Sequence, residues 1–436
     1  MRRVIFTGLM LLMFLTALRL QAAGWPPELE SRAPFNGRTA DRYIHGSQSQ
    51  WGAKNPEQTD EFVVLYPKDS TDSTASGNTA AEKLPLYVVL HSAGHALDSA
   101  LDCTLTPGNH DIYATPDDFY GLYLDCRANE ATDWWWGGLR ADEEVTDDNR
   151  DKAGFDLSPC EKRIIDTIRW VMATYPIDTN RVYLCGNSMG GSGTLGIGLR
   201  HGDIFAAIKA NVPAGCAHAA ARLAFDTAIP AGAEIPDPPI LIDYSANNDI
   251  WSRDHAILFR GMRQRRYALF AFWGPFGHEN NHAKIDQVND LIHRLDWTGI
   301  RLDEAYPVFT GATTDDPIPW TDNTEALPVD APAGQVNGFF RWKVVADTPE
   351  LFEICLRLAT KDEVHSKIFD VPTASTVTVS MRRLQAFRVR PHEEIICIFG
   401  DRSQAVRADD RGLVTIPGLT ITDEPVSLRL TRSGKE

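Results

Sequence analysis

The run Arg181-Val-Tyr-Leu-Cys-Gly-Asn-Ser-Met-Gly-Gly-Ser-Gly193 sets the tightest limit on how this chain can fold. Val182–Cys185 is an apolar, strand-like run, and a helix-length segment follows the glycines. Gly186 and Gly190 flank Ser188 at minus two and plus two. That spacing suits a tight turn between a strand and a helix, where larger side chains would collide and the serine hydroxyl projects from the carboxyl edge of a sheet. Free N–H groups at the start of the following helix favour a negative oxygen beside that hydroxyl.

The surrounding pattern agrees with such a sheet. Strand-like runs occur at Phe62–Tyr66, Leu86–His91, Gly121–Asp125, Val182–Cys185, Phe205–Ala210, Ile240–Tyr244 and Tyr267–Phe272. Several are apolar throughout, as strands covered on both faces are. Helical patterns lie between them. The spacing predicts a helix over Pro159–Thr174, with Ser158 as N-cap, Pro159 at N1 and Glu161 completing a capping box. Further helices are expected over about 253–263 and 281–295. Alternation of this kind over residues 24–305 predicts an α/β domain with a mostly parallel sheet. Pro, Gly and Asp between 306 and 335 read as a linker. Beyond it, period-two runs such as Val377, Val379, Met381 and Val426, Leu428, Leu430 predict an antiparallel β-sandwich-like domain over 336–436. Asp69–Lys83 reads as a polar loop.

Arg2 and Arg3, the apolar run Val4–Leu18 and the small residues Ala22, Ala23 and Gly24 form a signal-peptide pattern over 1–23. The expected location is therefore secreted or periplasmic, with no membrane contact after cleavage. Across the 436 residues, 59 acids against 43 bases leave a net charge of −16, which argues against nucleic acid and anionic surfaces as partners. Export permits disulfides. The seven cysteines are odd in number, and Cys355 with Cys397 and Cys103 with Cys126 are candidate pairs. No Cys-x-x-Cys or His-rich spacing suggests a zinc site.

A serine hydroxyl needs a base, and in this kind of sheet an acid and then a histidine follow it in the chain. Asp249 lies just past the strand Ile240–Tyr244, whereas Asp243 falls inside it and Asp254 at the next helix. His278 sits on a Gly-flanked loop after the strand Tyr267–Phe272; His282 and His255 are its competitors. The expected triad is Ser188, Asp249 and His278. The expected oxyanion donors are the N–H groups of Met189 and of Ala93, with Ser92 second to Ala93.

Three segments, Leu90-His-Ser-Ala-Gly94, Tyr175–Tyr183 and Gly186-Asn-Ser-Met-Gly-Gly191, resemble α/β-hydrolase esterases of the feruloyl-esterase, acetylxylan-esterase and polyhydroxybutyrate-depolymerase type. The resemblance spans about residues 55–298. It implies the α/β-hydrolase fold and the same five residues in the roles just given. It also implies an acyl-enzyme route without metal or organic cofactor. One departure is visible: Ser92 stands where many relatives carry glycine.

Trp134, Trp135 and Trp136 follow a strand near the same sheet edge, and Trp251 and Trp273 flank the acid and the base. Rings so placed are expected to bind a large flat substrate. The leading expectation is a secreted ester hydrolase acting on feruloyl or acetyl esters of plant cell-wall polysaccharide. A polyester depolymerase, a serine peptidase and a non-catalytic carbohydrate-binding protein are the alternatives. The acidic stretch 142–151 reads as a solvated loop, without the alternation of a calcium-binding loop.

Overall fold

The computed structural model describes residues 25–52, 57–68, 82–108, 110–126, 135–136, 156–225, 229, 235–246, 249–274, 277–278, 291, 295–320, 332–364 and 368–432. The signal-like segment 1–23, most of the 69–83 loop, Trp134, the acidic stretch 142–151, His282 and nearly all of the 281–295 helix lie outside them. Among the described residues no helix is long and apolar enough to cross a membrane.

Ten strands form one sheet in the order β1-β2-β3-β5-β4-β6-β7-β8-β9-β11. They are β1 Glu28–Phe35, β2 Arg38–Gly46, β3 Thr59–Leu65, β4 Leu84–Leu90, β5 Tyr120–Leu124, β6 Ile177–Asn187, β7 Ala207–Asn211, β8 Ile240–Ala246, β9 Leu269–Gly274 and β11 Gly334–Val336. The six strands β5-β4-β6-β7-β8-β9 pair in parallel. β1 to β3 join antiparallel on one side and β11 on the other. Successive side chains point to opposite faces. Val88 and Val89, Leu184 and Cys185, Leu241 and Ile242 accordingly divide between two separate buried cores. This two-sided burial is why the parallel strands read as unbroken apolar runs.

β1 and β2 have no apolar signature in the sequence, for a physical reason. β1 is exposed along almost its whole length. β2 buries Arg38, Asp41, Tyr43 and His45, so its inward face is largely polar. Asp41 is fully buried and satisfied by Arg32 Nε at 2.6 Å, Tyr66 Oη at 3.0 Å and Tyr175 Oη at 2.9 Å. Hydrogen bonds replace the hydrophobic pattern there.

Five helices matter to the layout: α1 Leu97–Asp102, α2 Pro159–Thr174, α3 Met189–Gly193, α4 Cys216–Arg222 and α5 His255–Arg265. α2 has the bounds its spacing predicts, and Ser158 Oγ accepts the Glu161 N–H at 3.1 Å. The capping box is only half formed. The Glu161 carboxylate turns away from the cap to Arg222 Nη2 at 2.6 Å and His201 Nε2 at 3.0 Å. This buried ion pair ties α2 to α4.

The C-terminal part is a sandwich of antiparallel sheets, β10-β14-β17 and β12-β13-β18-β15-β16. Its strands are β10 Tyr306–Thr310, β12 Phe340–Asp347, β13 Leu351–Leu358, β14 Ala374–Arg382, β15 Glu394–Phe399, β16 Arg402–Arg407, β17 Val414–Thr422 and β18 Val426–Arg432. The expected linker over 306–335 is corrected. β10 at its start pairs with β14 of the sandwich, and β11 at its end pairs with β9 of the large sheet. Its prolines Pro317 and Pro319 lie between strands rather than in a tether.

The sandwich also shares one apolar core with a face of the large sheet. Phe309 stacks on Phe340 at 4.1 Å, and Phe270 on Trp342 at 5.8 Å. Asn337 Nδ2 donates to the carbonyls of Leu269 and Phe309, each at 3.0 Å. Arg383 donates to the carbonyls of Gly202, Phe205 and Ala206, each at 3.2 Å. A boundary at 305 or 336 therefore cuts through a packed interface.

All seven cysteines are free thiols. Cys355 and Cys397 sit on β13 and β15, which β18 separates. Strands two apart are about 10 Å from each other, beyond disulfide reach.

Asp315 lies at this interface, where its Oδ1 accepts the Asn337 N–H at 2.9 Å. Burial pushes its carboxyl up from 3.8 to about 6. A raised folded pKa means that the protonated form is favoured in the fold. The associated stability is complete below about pH 4 and is lost as pH rises through about 6. Asp315→Asn should therefore stabilise the protein by about 1–3 kcal/mol at neutral pH and by little at acid pH. Urea melts at the two pH values measure this, and an equal gain at both would contradict it.

Candidate active site

The chain leaves β6 at Asn187, turns at Ser188 and enters α3 at Met189. Ser188 has φ 55° and ψ −116°, a sparsely populated conformation for a residue with a side chain. The glycines make the turn possible. A Cβ on Gly186 would lie 2.3 Å from the Gly190 carbonyl, and one on Gly190 would lie 2.0 Å from the Leu90 oxygen. β4, β6 and the first turn of α3 thus touch backbone to backbone, which holds the serine at the carboxyl end of the parallel strands.

Asp249 and His278 reach the same edge, after β8 and β9 respectively. Ser188 Oγ lies 2.8 Å from His278 Nε2, and His278 Nδ1 lies 2.7 Å from Asp249 Oδ2. Asp249 is buried, and its Oδ1 accepts the Trp251 N–H at 2.9 Å. The carboxylate is thereby fixed from both sides, while the imidazole stays partly open to solvent. Arranged so, the carboxylate orients the ring and the ring can take the hydroxyl proton.

No family model matches the chain, and no curated protein matches it. Solved structures similar to it include a fluorophosphonate-binding serine hydrolase of Staphylococcus aureus, 15% identical, with a TM-score of 0.39 over 58% of this chain and 95% of that one. An S-formylglutathione hydrolase from Agrobacterium tumefaciens is 13% identical, with a TM-score of 0.40 over 59% of this chain and 93% of that one. A ferulic acid esterase is 11% identical, with a TM-score of 0.37 over 55% and 92%. Likeness this low transfers no residue role, so the reading of the site stands on its own distances.

The competing acids and His255 are placed elsewhere, and His282 lies outside the described residues. Asp243 lies inside β8, with Ser245 Oγ on its Oδ1 at 2.6 Å. His255 is fully buried, 2.6 Å from Ser245 Oγ, and stacks on Trp320 at 4.6 Å. Asp254 immediately precedes α5.

Two backbone N–H groups, that of Met189 next to Ser188 in the chain and that of Ala93 next to Ser92, are uncommitted among the described residues. Neither Met189 N–H nor Ala93 N–H donates to any described residue. The Ser92 N–H is already spent on Tyr113 Oη at 2.7 Å, which removes it as the second oxyanion donor. Its hydroxyl explains why a serine stands there. Ser92 Oγ donates to the Asn187 carbonyl at 2.9 Å and also meets Tyr113 Oη at 2.9 Å. Asn187 Nδ2 returns a bond to Ser92 Oγ at 3.1 Å. The loop after β4 is thus fastened to the residue before the nucleophile. Burial pushes the Tyr113 phenol above its ordinary range, so its proton is retained. Tyr113 and Asn187 were missed in the sequence because nothing in a linear pattern relates them to Ser92.

The expectation for the tryptophans is corrected in part. Trp135, Trp136 and Trp273 are buried, none more than 2% exposed. Each fills space that a glycine leaves open: Trp135 against Gly193, Trp136 against Gly215 and Trp273 against Gly334. Trp135 also donates Nε1–H to the His91 carbonyl at 3.0 Å. These rings are packing, not platforms. Trp251, 38% exposed next to Asp249, is the remaining described ring open to a ligand.

Trp135→Leu should accordingly lower stability by about 2–3 kcal/mol, through lost contact and an unpaired carbonyl. The ratio of bulky-ester to acetate-ester turnover should stay unchanged. A selective loss on bulky esters would return the ring to the substrate.

Proposed function

We propose that this chain is a serine carboxylic ester hydrolase. The observation that carries the reading is the Ser188–His278–Asp249 relay, with distances of 2.8 and 2.7 Å, on a strained turn. His278 Nε2 takes the Ser188 proton as Oγ attacks an ester carbonyl. Asp249 holds the ring and balances its charge. The N–H groups of Met189 and Ala93 face the developing oxyanion, the term of largest effect in such sites. His278 then gives its proton to the departing alcohol. Water, activated by the same imidazole, cleaves the acyl-enzyme and frees the carboxylic acid.

The finer reading is an exported esterase acting on feruloyl or acetyl groups of plant cell-wall polysaccharide. Its support is the motif resemblance, the signal-like first 23 residues and the exposed ring of Trp251. Burial of three of the five tryptophans weakens the case for a broad stacking surface.

Free acids released from feruloylated xylan, acetylated xylan and a polyhydroxyalkanoate distinguish the substrates. The expected result is release from one or both xylans. Release from the polyester alone would replace the polysaccharide reading. Trp251→Ala should lower kcat/KM on the active xylan roughly two- to tenfold, as loss of one stacking contact does. It should leave nitrophenyl acetate turnover nearly unchanged.

A further inference from the structure

We propose that His95, Cys103 and His110 form a zinc-binding site that clips the loop carrying the second oxyanion donor. His95 lies two residues beyond Ala93, Cys103 directly follows α1, and His110 precedes the turn Asp111–Tyr113. One ligand atom from each lies within 4.8 Å of the other two. The imidazoles of His95 and His110 face one another, with ring centroids 4.7 Å apart and planes inclined at 47°.

Among the described residues the three side chains have nothing else to bond. His95 Nδ1 is buried without a hydrogen-bond partner. The Cys103 thiol forms no disulfide. None of the three side chains makes a hydrogen bond to a described residue. Three convergent, unsatisfied nitrogen and sulfur donors suit a tetrahedral borderline-soft ion, with the fourth position left to water. Tetrahedral zinc sets such atoms roughly 3.3–3.8 Å apart, so each side chain need move by only about 1 Å.

The spacing His95-x7-Cys103-x6-His110 carries no familiar zinc signature. α1 lies between the first two ligands and the turn after it between the second and third, so the set assembles only in three dimensions. An ion there would join the two ends of the segment whose other cross-link is the Ser92–Tyr113 pair of bonds. The His110 and Tyr113 rings lie 5.1 Å apart, inclined at 32°, so the clip would hold the phenol against Ser92 and, through it, the Ala93 N–H. The site itself is independent of the ester-hydrolase reading.

The test uses the reduced, chelator-treated full chain without a tag. Cobalt(II) should bind one equivalent, with the visible bands of a four-coordinate ion and a thiolate-to-metal charge-transfer band. Zinc should displace it and raise the melting temperature. Cys103→Ser should lose the charge-transfer band while keeping the wild-type circular dichroism. His95→Ala/His110→Ala should lose stoichiometric binding. Should that double variant fail to fold, the Cys103→Ser spectrum still decides, because the thiol is partly exposed and hydroxyl is close to it in size. No charge-transfer band at one equivalent, or the same band in Cys103→Ser, would overturn the site.

Discussion

Ser188→Ala should reduce kcat/KM for nitrophenyl acetate by about 10⁴- to 10⁶-fold and leave the circular dichroism spectrum unchanged. The acyl-enzyme bond is made and broken at Oγ, and the structure places no other hydroxyl or thiol against His278 among the described residues. Some residual rate above water is expected, because the Met189 and Ala93 N–H groups still polarise a bound carbonyl. Stability should hardly change, since alanine keeps the Cβ and therefore the strain at φ 55°. Ser188→Gly separates the two effects. It should be as inactive as alanine but more stable by about 1 kcal/mol, because glycine relieves the strained turn. Wild-type turnover by Ser188→Ala would end the acyl-enzyme reading and leave the binding-protein alternative in its place.

Arg222→Met should destabilise the fold by about 3–5 kcal/mol, the largest stability loss expected here. Arg222 and Glu161 are both fully buried, with Arg222 Nη2 2.8 and 2.6 Å from the two carboxylate oxygens. Arg222 Nε also donates to the Gly196 carbonyl at 2.8 Å. The pair therefore braces α2, α4 and the turn just beyond α3, directly behind the nucleophile. Burial pushes the Glu161 carboxyl up, but Arg222 and then His201 outweigh it and hold it below its ordinary range.

A depressed folded pKa gives stability that is present above the unfolded value and lost as pH falls through the folded one. Without Arg222, the carboxylate is left short of charge and takes up a proton more readily. The deficit of Arg222→Met should then shrink as pH falls below about 5. Glu161→Leu/Arg222→Met should recover much of the loss, since a well-packed apolar pair can match a buried ion pair. Urea melts of the single and double variants across pH read both effects. A loss under 1 kcal/mol in Arg222→Met would show the pair to be incidental.

Much of the site was legible in the chain because its constraints are local. Gly186 and Gly190 leave room for backbone contact, and that need is written at fixed offsets from Ser188. Asp249 and His278 each follow an apolar run, so their shared sheet edge could be read from strand order alone. α2 could be read to its ends because Ser158 and Pro159 are local start signals. The polar strand β2 could not, because its inward face is satisfied by Arg32, Tyr66 and Tyr175 rather than by apolar neighbours.

By itself, then, the sequence determined the sheet's parallel core, the strained serine turn and the order of its acid and base. These follow from backbone sterics and strand periodicity, which act over a few residues. Only the tertiary structure decided that Trp135, Trp136 and Trp273 fill glycine gaps, that β10 and β11 pair with two different sheets, that the Ser92 N–H is spent on Tyr113, and that His95, Cys103 and His110 converge. Each of those outcomes depends on which distant surface a residue meets, and chain spacing does not encode that.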